Sequence, residues 1–432
     1  MKILIAILVF SIIIIIHELG HFILAKKNGV CVTEFSVGMG PRLISTVKGE
    51  TRYSIKLLPF GGSCMMLGED EDVADDERAF GKKSVWARIS IIAAGPIFNF
   101  ALAFLVGCVV VAIAGYVPAN VVSVESKSPA YVAGIEEGDV ITKIDGHSVD
   151  TTDDINLYLQ MNPLDGSPID ITYKRDGEKY TTTITPVLKD TYMLGFYYNP
   201  GVEPVNIQTI TEGYPLYEAG LQIGDVITSV DGTEIATGSE LTSYFKENPL
   251  TSEAVRIGYE RDGVASEVVV NPKYTSTSYD LGATINSYSV KANALEVIKY
   301  GAIEVKFVIK STISGLGMML SGQLSKDDIA GPVGVVNIIG NTYEASKEYG
   351  LTAMVANVGY LLVLISANLG VMNLLPVPAL DGGRLVFLFL EVIRGGKKIP
   401  SEKEGLIHMI GLVALMALMV FVMFNDISNL FK

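Results

Sequence analysis

Cysteine is scarce in this 432-residue chain, with Cys31, Cys64 and Cys108 as its only three. None falls between Val121 and Ser289, so no disulfide framework is built into that stretch. Three scattered thiols are also too few, at the wrong spacing, for a cysteine-built zinc site. Histidine is nearly as rare, with four residues. Positive charge is short, Lys+Arg 33 against Asp+Glu 47, and the shortage is local. Val121–Ser289 holds 26 Asp+Glu and 10 Lys+Arg, while the flanks are near neutral and apolar. A surface of that sign argues against nucleic acid as a partner.

What the flanks have instead is hydrocarbon. A run of about 20 apolar residues spans a bilayer, and four stretches qualify: Ile3–Ala25, Ile89–Tyr116, Leu351–Leu375 and Gly405–Phe424. No small-x-small cleavage pattern follows the first, so it reads as a retained helix rather than a secretory signal. Lys and Arg crowd the first and last connections (Lys26, Lys27, Lys82, Lys83, Arg88; Arg384, Arg394, Lys397, Lys398, Lys403). The positive-inside rule then makes those connections cytoplasmic and leaves both termini and the acidic block outside. Between the first two spans, Arg52–Leu57 alternates polar and apolar residues and Gly-Pro and Gly-Gly breaks flank it, which predicts a membrane-associated β-hairpin. The acidic run Glu69–Glu77 reads as a solvated loop. Asn293 with Glu296 predicts a helix start. The helix that follows carries Glu304, Lys306 and Lys310 and is expected to lie on the membrane surface. Gly331-Pro332-Val333-Gly334 is expected to be a turn.

The acidic block repeats itself. Ala133-Gly134-Ile135-Glu136-Glu137-Gly138-Asp139 returns as Ala219-Gly220-Leu221-Gln222-Ile223-Gly224-Asp225, an offset of 86 residues (133 to 219). Arg175-Asp176-Gly177 returns as Arg261-Asp262-Gly263 at the same offset. Each copy resembles a bacterial PDZ domain in its Ala-Gly-Leu-x-x-Gly-Asp-x-Ile signature. The resemblance implies α+β modules that take peptide C-termini by adding a strand. The expected division is 1–118 (two spans and the β segment), 119–202 and 203–289 (the two modules), 290–345 (an amphipathic helical linker) and 346–432 (two further spans). The fold class is an α-helical polytopic membrane protein with an inserted tandem of PDZ modules.

The chemistry sits inside the first span. His17-Glu18-Leu19-Gly20-His21 is HExxH, and on a helix residues four apart share a face. Both imidazoles can then reach one metal with Glu18 beside it as a base. Ionisable groups are costly in hydrocarbon unless partnered, so a metal site below the membrane surface is expected. A catalytic zinc needs a third protein ligand and one open position. His147 follows an Asp-Gly turn and reads as a solvated turn residue. His408, near the start of the last span, is conceivable as a ligand. Asp381 is the better candidate, because it closes the irregular stretch Asn373-Leu374-Leu375-Pro376-Val377-Pro378-Ala379-Leu380-Asp381-Gly382-Gly383 at the depth of the HExxH.

HExxH in the first span, Gly95-Pro96-Ile97-Phe98-Asn99 in the second, the inserted modules and Asn-x-x-Pro-x-Pro-x-Leu-Asp-Gly-Gly in the third together resemble the site-2 protease family of intramembrane metalloproteases. The likeness is to its bacterial regulator-of-sigma-E type. That resemblance implies Zn2+ held by His17, His21 and Asp381, Glu18 as catalytic base, and Asn373 in contact with substrate backbone. Asn99 and Asn368 match further polar positions of the family and are taken as substrate-binding. Ile55, within the alternating segment, is taken as an edge that draws substrate into an extended form. The implied substrates are single-span membrane proteins of the anti-sigma-factor type, already trimmed by a first protease, and leftover signal peptides. The implied location is a bacterial inner or plasma membrane, with the active site towards the cytoplasmic side. The alternative is a non-catalytic membrane scaffold that recruits extracytoplasmic partners through its modules. A metal-dependent transporter is disfavoured by four spans without a repeat among them.

Overall fold

The computed structural model describes residues 2–69, 76–323 and 330–430. Most of the acidic run, residues 70–75, lies outside the described residues. Two compact units emerge, Met1–Val117 with Tyr288–Lys432, and Pro118–Ser287.

The first unit opens with α1 (Lys2–Lys27), β1 (Val32–Lys48), β2 (Thr51–Met66) and α2 (Val85–Ala114). Isoleucine-rich α1 is a poor helix former by propensity. In hydrocarbon, however, every backbone polar group must bond within its own segment, and that requirement dominates. Ser84 caps α2 by accepting from Ala87 N at 3.3 Å, and Gly115 at φ 80° ends it. Between these helices β1 and β2 bend back on themselves into four segments. Val32–Val37 pairs with Gly62–Met66 on one side and with Arg52–Ile55 on the other, which in turn pairs with Ile44–Val47. Ile55 therefore sits on an interior segment, bonded across to Val37 and Ile44. The expectation that it forms an edge is corrected: the outer segments are Gly62–Met66 and Ile44–Val47. Buried Glu34 inside this sheet accepts from Arg42 Nε and Nη2, both at 2.8 Å, and from Ser54 Oγ at 2.6 Å. The Arg42 guanidinium holds its carboxyl down to about 2.

The second unit carries the repeat. The first copy runs β3 (Val121–Val124), α3 (Pro129–Val132), β4 (Val140–Ile144), β5 (His147–Ser148), α4 (Thr152–Met161), β6 (Ile169–Arg175), β7 (Glu178–Ile184) and β8 (Val187–Met193). The second runs β9 (Phe196–Tyr197), β10 (Thr209–Ile210), α5 (Pro215–Glu218), β11 (Val226–Val230), β12 (Thr233–Glu234), α6 (Gly238–Glu247), β13 (Val255–Arg261), β14 (Val264–Val270), β15 (Lys273–Asp280) and β16 (Ala283–Ile285). The sheets have matching orders, β5-β4-β6-β7 and β12-β11-β13-β14. The boundary expected at 202/203 does not divide the structure. Leu194, Phe196 and Tyr198 pack in the core of the second copy, and Leu281, Ala283 and Ile285 pack in the core of the first. β16 pairs with β3, and β8 pairs antiparallel with its own counterpart β15. β9 likewise pairs with β10, so the segment after β8 closes the second copy and the segment after β15 closes the first.

The chain then returns to the first unit with α7 (Ala294–Leu320), α8 (Pro332–Lys347), α9 (Leu351–Leu374), α10 (Asp381–Ile393) and α11 (Ser401–Leu430). Four of the described helices are long and apolar enough to cross a membrane: Lys2–Lys27, Val85–Ala114, Leu351–Leu374 and Glu402–Ser428. Asn293 caps α7 as expected, accepting from Leu295 N and Glu296 N. The rest of that helix departs from expectation, because it packs along α2 rather than lying apart on a surface. Tyr300 stacks on Tyr116 at 3.5 Å between ring centroids, Gly301 lies against Cys108, and Val305 and Val308 share a buried cluster with Ala103. Bare Gly301 permits this approach, since a Cβ there would come within 2.6 Å of Cys108 Sγ. Gly331–Gly334 is not an isolated turn but the start of α8. Asp426 of α11 accepts from Gly331 N at 2.9 Å and Gly334 N at 2.8 Å, and Pro332 occupies the first helical turn.

Candidate metal centre

Two helices bring three ligand-type side chains together. His17 and His21 stand one turn apart on α1, with their Nε2 atoms 3.3 Å from one another. Asp381, the first residue of α10, puts Oδ2 3.3 Å from His17 Nε2 and 3.5 Å from His21 Nε2. The approach is close, yet Asp381 Oδ2 is buried and has no hydrogen-bond partner. Atoms of that kind converge when a cation belongs between them. Among the described residues these three are the one such group, all ligand atoms lying within 4.8 Å.

The local sequence makes the convergence sterically possible. Gly20 lets α1 lie against α2, where a Cβ would come within 2.5 Å of Ala94 O. A Cβ on Gly95 would come within 2.3 Å of His21 Nε2, so no larger residue fits behind the imidazoles. Before α10 the chain turns tightly, with Val377 N donating to Leu375 O at 2.7 Å and Ala379 at φ 76°. Gly382 follows Asp381 because a Cβ there would come within 2.1 Å of Leu375 O. A carboxylate in the first turn of α10 also suits the helix dipole.

Supporting contacts fix the histidines. His21 Nδ1 donates to Ile91 O at 2.9 Å, which leaves Nε2 as the lone-pair nitrogen facing Asp381. Asn99 of α2 faces His17 Nδ1 at 3.3 Å and is wholly buried. Its side chain thus meets His17, a contact that the expected substrate-binding role did not include. Glu18 projects towards β2, whose Gly62 would crowd Glu18 Cγ at 2.8 Å if it carried a Cβ. The Glu18 carboxylate lies near the Cys64 main-chain N–H.

The remaining sequence candidates fall elsewhere. Asn368 lies on α9 and accepts from Thr312 of α7, so its observed work is helix packing. Asn373 is half-buried in the last turn of α9. Exposed His147 contacts Asp145 O in its own turn. His408 is not in the metal group; its Nδ1 accepts from Ala379 N at 2.9 Å, which ties α11 to the stretch that carries Asp381. Sequence reading missed the buried pair Arg88–Glu391, 2.6 Å apart, which ties α2 to α10. The signal was partial: Arg88 is the one charge of α2, whereas Glu391 shares α10 with Asp381 and Arg384.

Two imidazole nitrogens and one carboxylate oxygen, with an acid alongside, define a metal-dependent hydrolase set among apolar helices. The chain belongs to peptidase family M50, whose sequence model matches residues 5–418. It is a zinc metalloprotease of the site-2 type. It is 30% identical over 449 residues to the regulator of sigma-W protease RasP of Bacillus subtilis, with 98% of each chain covered. It is 32% identical over 448 residues to the zinc metalloprotease RasP of Bacillus licheniformis, again with 98% of each covered. Among solved structures, the PDZ domain of an SdrC-like protein from Listeria monocytogenes aligns at 25% identity over 17% of this chain and 74% of that one. Its TM-score of 0.15 is too low to carry an argument.

Proposed function

We propose that the protein cuts the transmembrane segments of single-span bacterial membrane proteins inside the bilayer, with anti-sigma factors trimmed by a first protease as the principal class and remnant signal peptides as a second. The observation that carries this reading is the meeting of Asp381 with His17 and His21, which lie inside a helix apolar enough to cross a membrane. In this reading the four apolar helices are four spans, both termini and two PDZ modules are extracytoplasmic, and the active site faces the cytoplasmic leaflet. The modules screen substrates by size or by newly made C-termini.

His17 Nε2, His21 Nε2 and an Asp381 carboxylate oxygen are the zinc ligands. The fit rests on the donor set and on buried, unpartnered Asp381 Oδ2. When bound, zinc supplies a Lewis acid that polarises a carbonyl and makes water nucleophilic near neutral pH. Glu18 takes the proton of the attacking water on a carboxylate oxygen and returns it to the leaving amine nitrogen. A helical substrate has no open carbonyl, so it must be drawn out before cleavage. The edge segment Gly62–Met66, which runs past Glu18, is the surface that does so, in place of Ile55. Asn373 contacts substrate backbone as the segment is drawn out.

Glu18→Gln in the full-length protein, with zinc analysis and a membrane-embedded reporter substrate, tests the reading. Cleavage is expected to fall by about 10²–10⁴-fold with zinc content unchanged. Undiminished cleavage would remove the proposed role.

A further inference from the structure

Asn99 presents a contradiction in its own hydrogen bonding. Its side chain is wholly buried in α2, and its Oδ1 meets no donor at all. Its Nδ2 lies 3.3 Å from His17 Nδ1. A buried amide oxygen without a partner loses its hydration with nothing in return, so this arrangement needs a reason. As it stands, the amide donates to His17 Nδ1. That nitrogen must then carry a lone pair, and the neutral ring's proton moves to Nε2. Nε2 is the atom that faces Asp381 and the second histidine. A protonated Nε2 cannot hold a metal. Turning the amide over exchanges two groups of the same shape, gives Oδ1 a donor and frees Nε2 of its proton. Oδ1 then accepts from His17 Nδ1–H, and Nε2 is left with its lone pair towards Asp381.

His21 is already set this way, through Ile91 O. The two histidines would therefore be fixed by different means, one by a main-chain carbonyl and the other by a side-chain carbonyl. Asn99 is itself held, because Ser366 Oγ of α9 donates to the Asn99 main-chain oxygen at 2.8 Å. We infer that Asn99 is a positioning residue for the metal site: its side-chain carbonyl accepts from His17 Nδ1–H and so fixes the tautomer that offers Nε2 as a ligand. The inference rests on the reading of His17 as a zinc ligand.

The test is zinc affinity of the detergent-solubilised full-length protein, measured by chelator competition, for Asn99→Leu and Asn99→Asp. Leucine has nearly the same shape and no acceptor, so affinity should fall about 10–100-fold. Aspartate can only accept, and should keep affinity within about threefold on this scale. Melting of the metal-stripped proteins provides the control, because a purely structural role lowers it for both variants and spares neither zinc affinity. If Asn99→Leu does not fold, Asn99→Asp decides alone. Retained affinity supports the accepting carbonyl, and a tenfold or greater loss overturns it. Asn99→Leu with wild-type affinity also overturns it. His17→Ala separates the two levels of argument. If it loses zinc while Asn99→Leu does not, only the role of Asn99 fails. If it too retains zinc, the ligand assignment itself fails.

Discussion

Two carboxylates with buried oxygens, Asp225 in the repeat unit and Asp381 in the helical unit, are treated in opposite ways. In the repeat unit, Asp225 is 2% exposed and every side of it is satisfied: Arg261 Nε and Nη2 donate at 2.7 Å each, and Gln222 N at 2.8 Å. Asp139 has the same arrangement with Arg175 and Glu136 N. In the helical unit, Asp381 Oδ2 faces two imidazoles without a hydrogen bond to either. One kind of burial stabilises a fold, and the other keeps a site open for an ion. The difference separates structural from functional polar groups better than burial alone does.

Removing a group from each side should therefore give different signatures. The largest effect is expected for Asp381→Ala, which takes away one of the three proposed ligands. Zinc should be lost in metal analysis and cleavage with it, while the melting of the repeat unit, followed by its β-sheet circular dichroism, should not move. A fall in that melting would mean the units are not energetically separate. Next comes Arg261→Met, which strands Asp225. A buried pair broken on one side costs about 3–5 kcal/mol, reduced here towards about 2 because Arg261 is partly solvated. Thermal unfolding of the full chain should show the repeat unit destabilised with zinc content intact.

Acid should find the same weakness. The Arg261 guanidinium holds the Asp225 carboxyl below its ordinary value. Asp225 binds a proton more readily unfolded than folded, so its contribution is complete above the unfolded value of about 4 and is lost as pH falls through the lower folded value. A pH series of melting curves should show that loss in the wild type, and a shallower one in Arg261→Met. The smallest effect is expected for Asn368→Leu, which removes a single bond to Thr312. Interhelical bonds of this kind are worth about 0.6 kcal/mol, and cleavage should persist. Lost cleavage with unaltered melting would return Asn368 to the substrate.

Much of this was legible in the residues, and for identifiable reasons. HExxH works through helical periodicity alone, so α1 could be read without a fold. The repeat announced itself because the same contacts recur: Tyr158 OH reaches Asp145, and Tyr244 OH reaches Asp231. Asp154 and Glu240 likewise accept from the main-chain N–H groups of Thr151 and Thr237 that open α4 and α6. Asp381 could be paired with the histidines only through topology and family resemblance. What stayed hidden depended on who stands beside whom. Alternation at Arg52–Leu57 declares a strand but not whether it is flanked on both sides, and Ile55 proved to be interior. Glu304, Lys306 and Lys310 suggested a surface helix. Yet α7 packs along α2 through Gly301 and Val308, and hydropathy does not record small-residue seams. Asn99 and Asn368 share one residue type and differ only in their neighbours, His17 for one and Thr312 for the other.

The exchanged strands have a consequence for the history of the chain. Tyr192-Met193-Leu194-Gly195 and Tyr279-Asp280-Leu281-Gly282 close the two copies with the same phrase, and each closes the core of the other. In an ancestor with one copy, that final strand would have returned to its own β3, as β16 does here, to make a self-closing loop. Duplication within such a loop yields an interlocked pair at once, with no new interface to invent. The reverse also holds. Excising one whole period leaves a chain that can close on itself, whereas trimming at a presumed boundary between the copies leaves both unfinished.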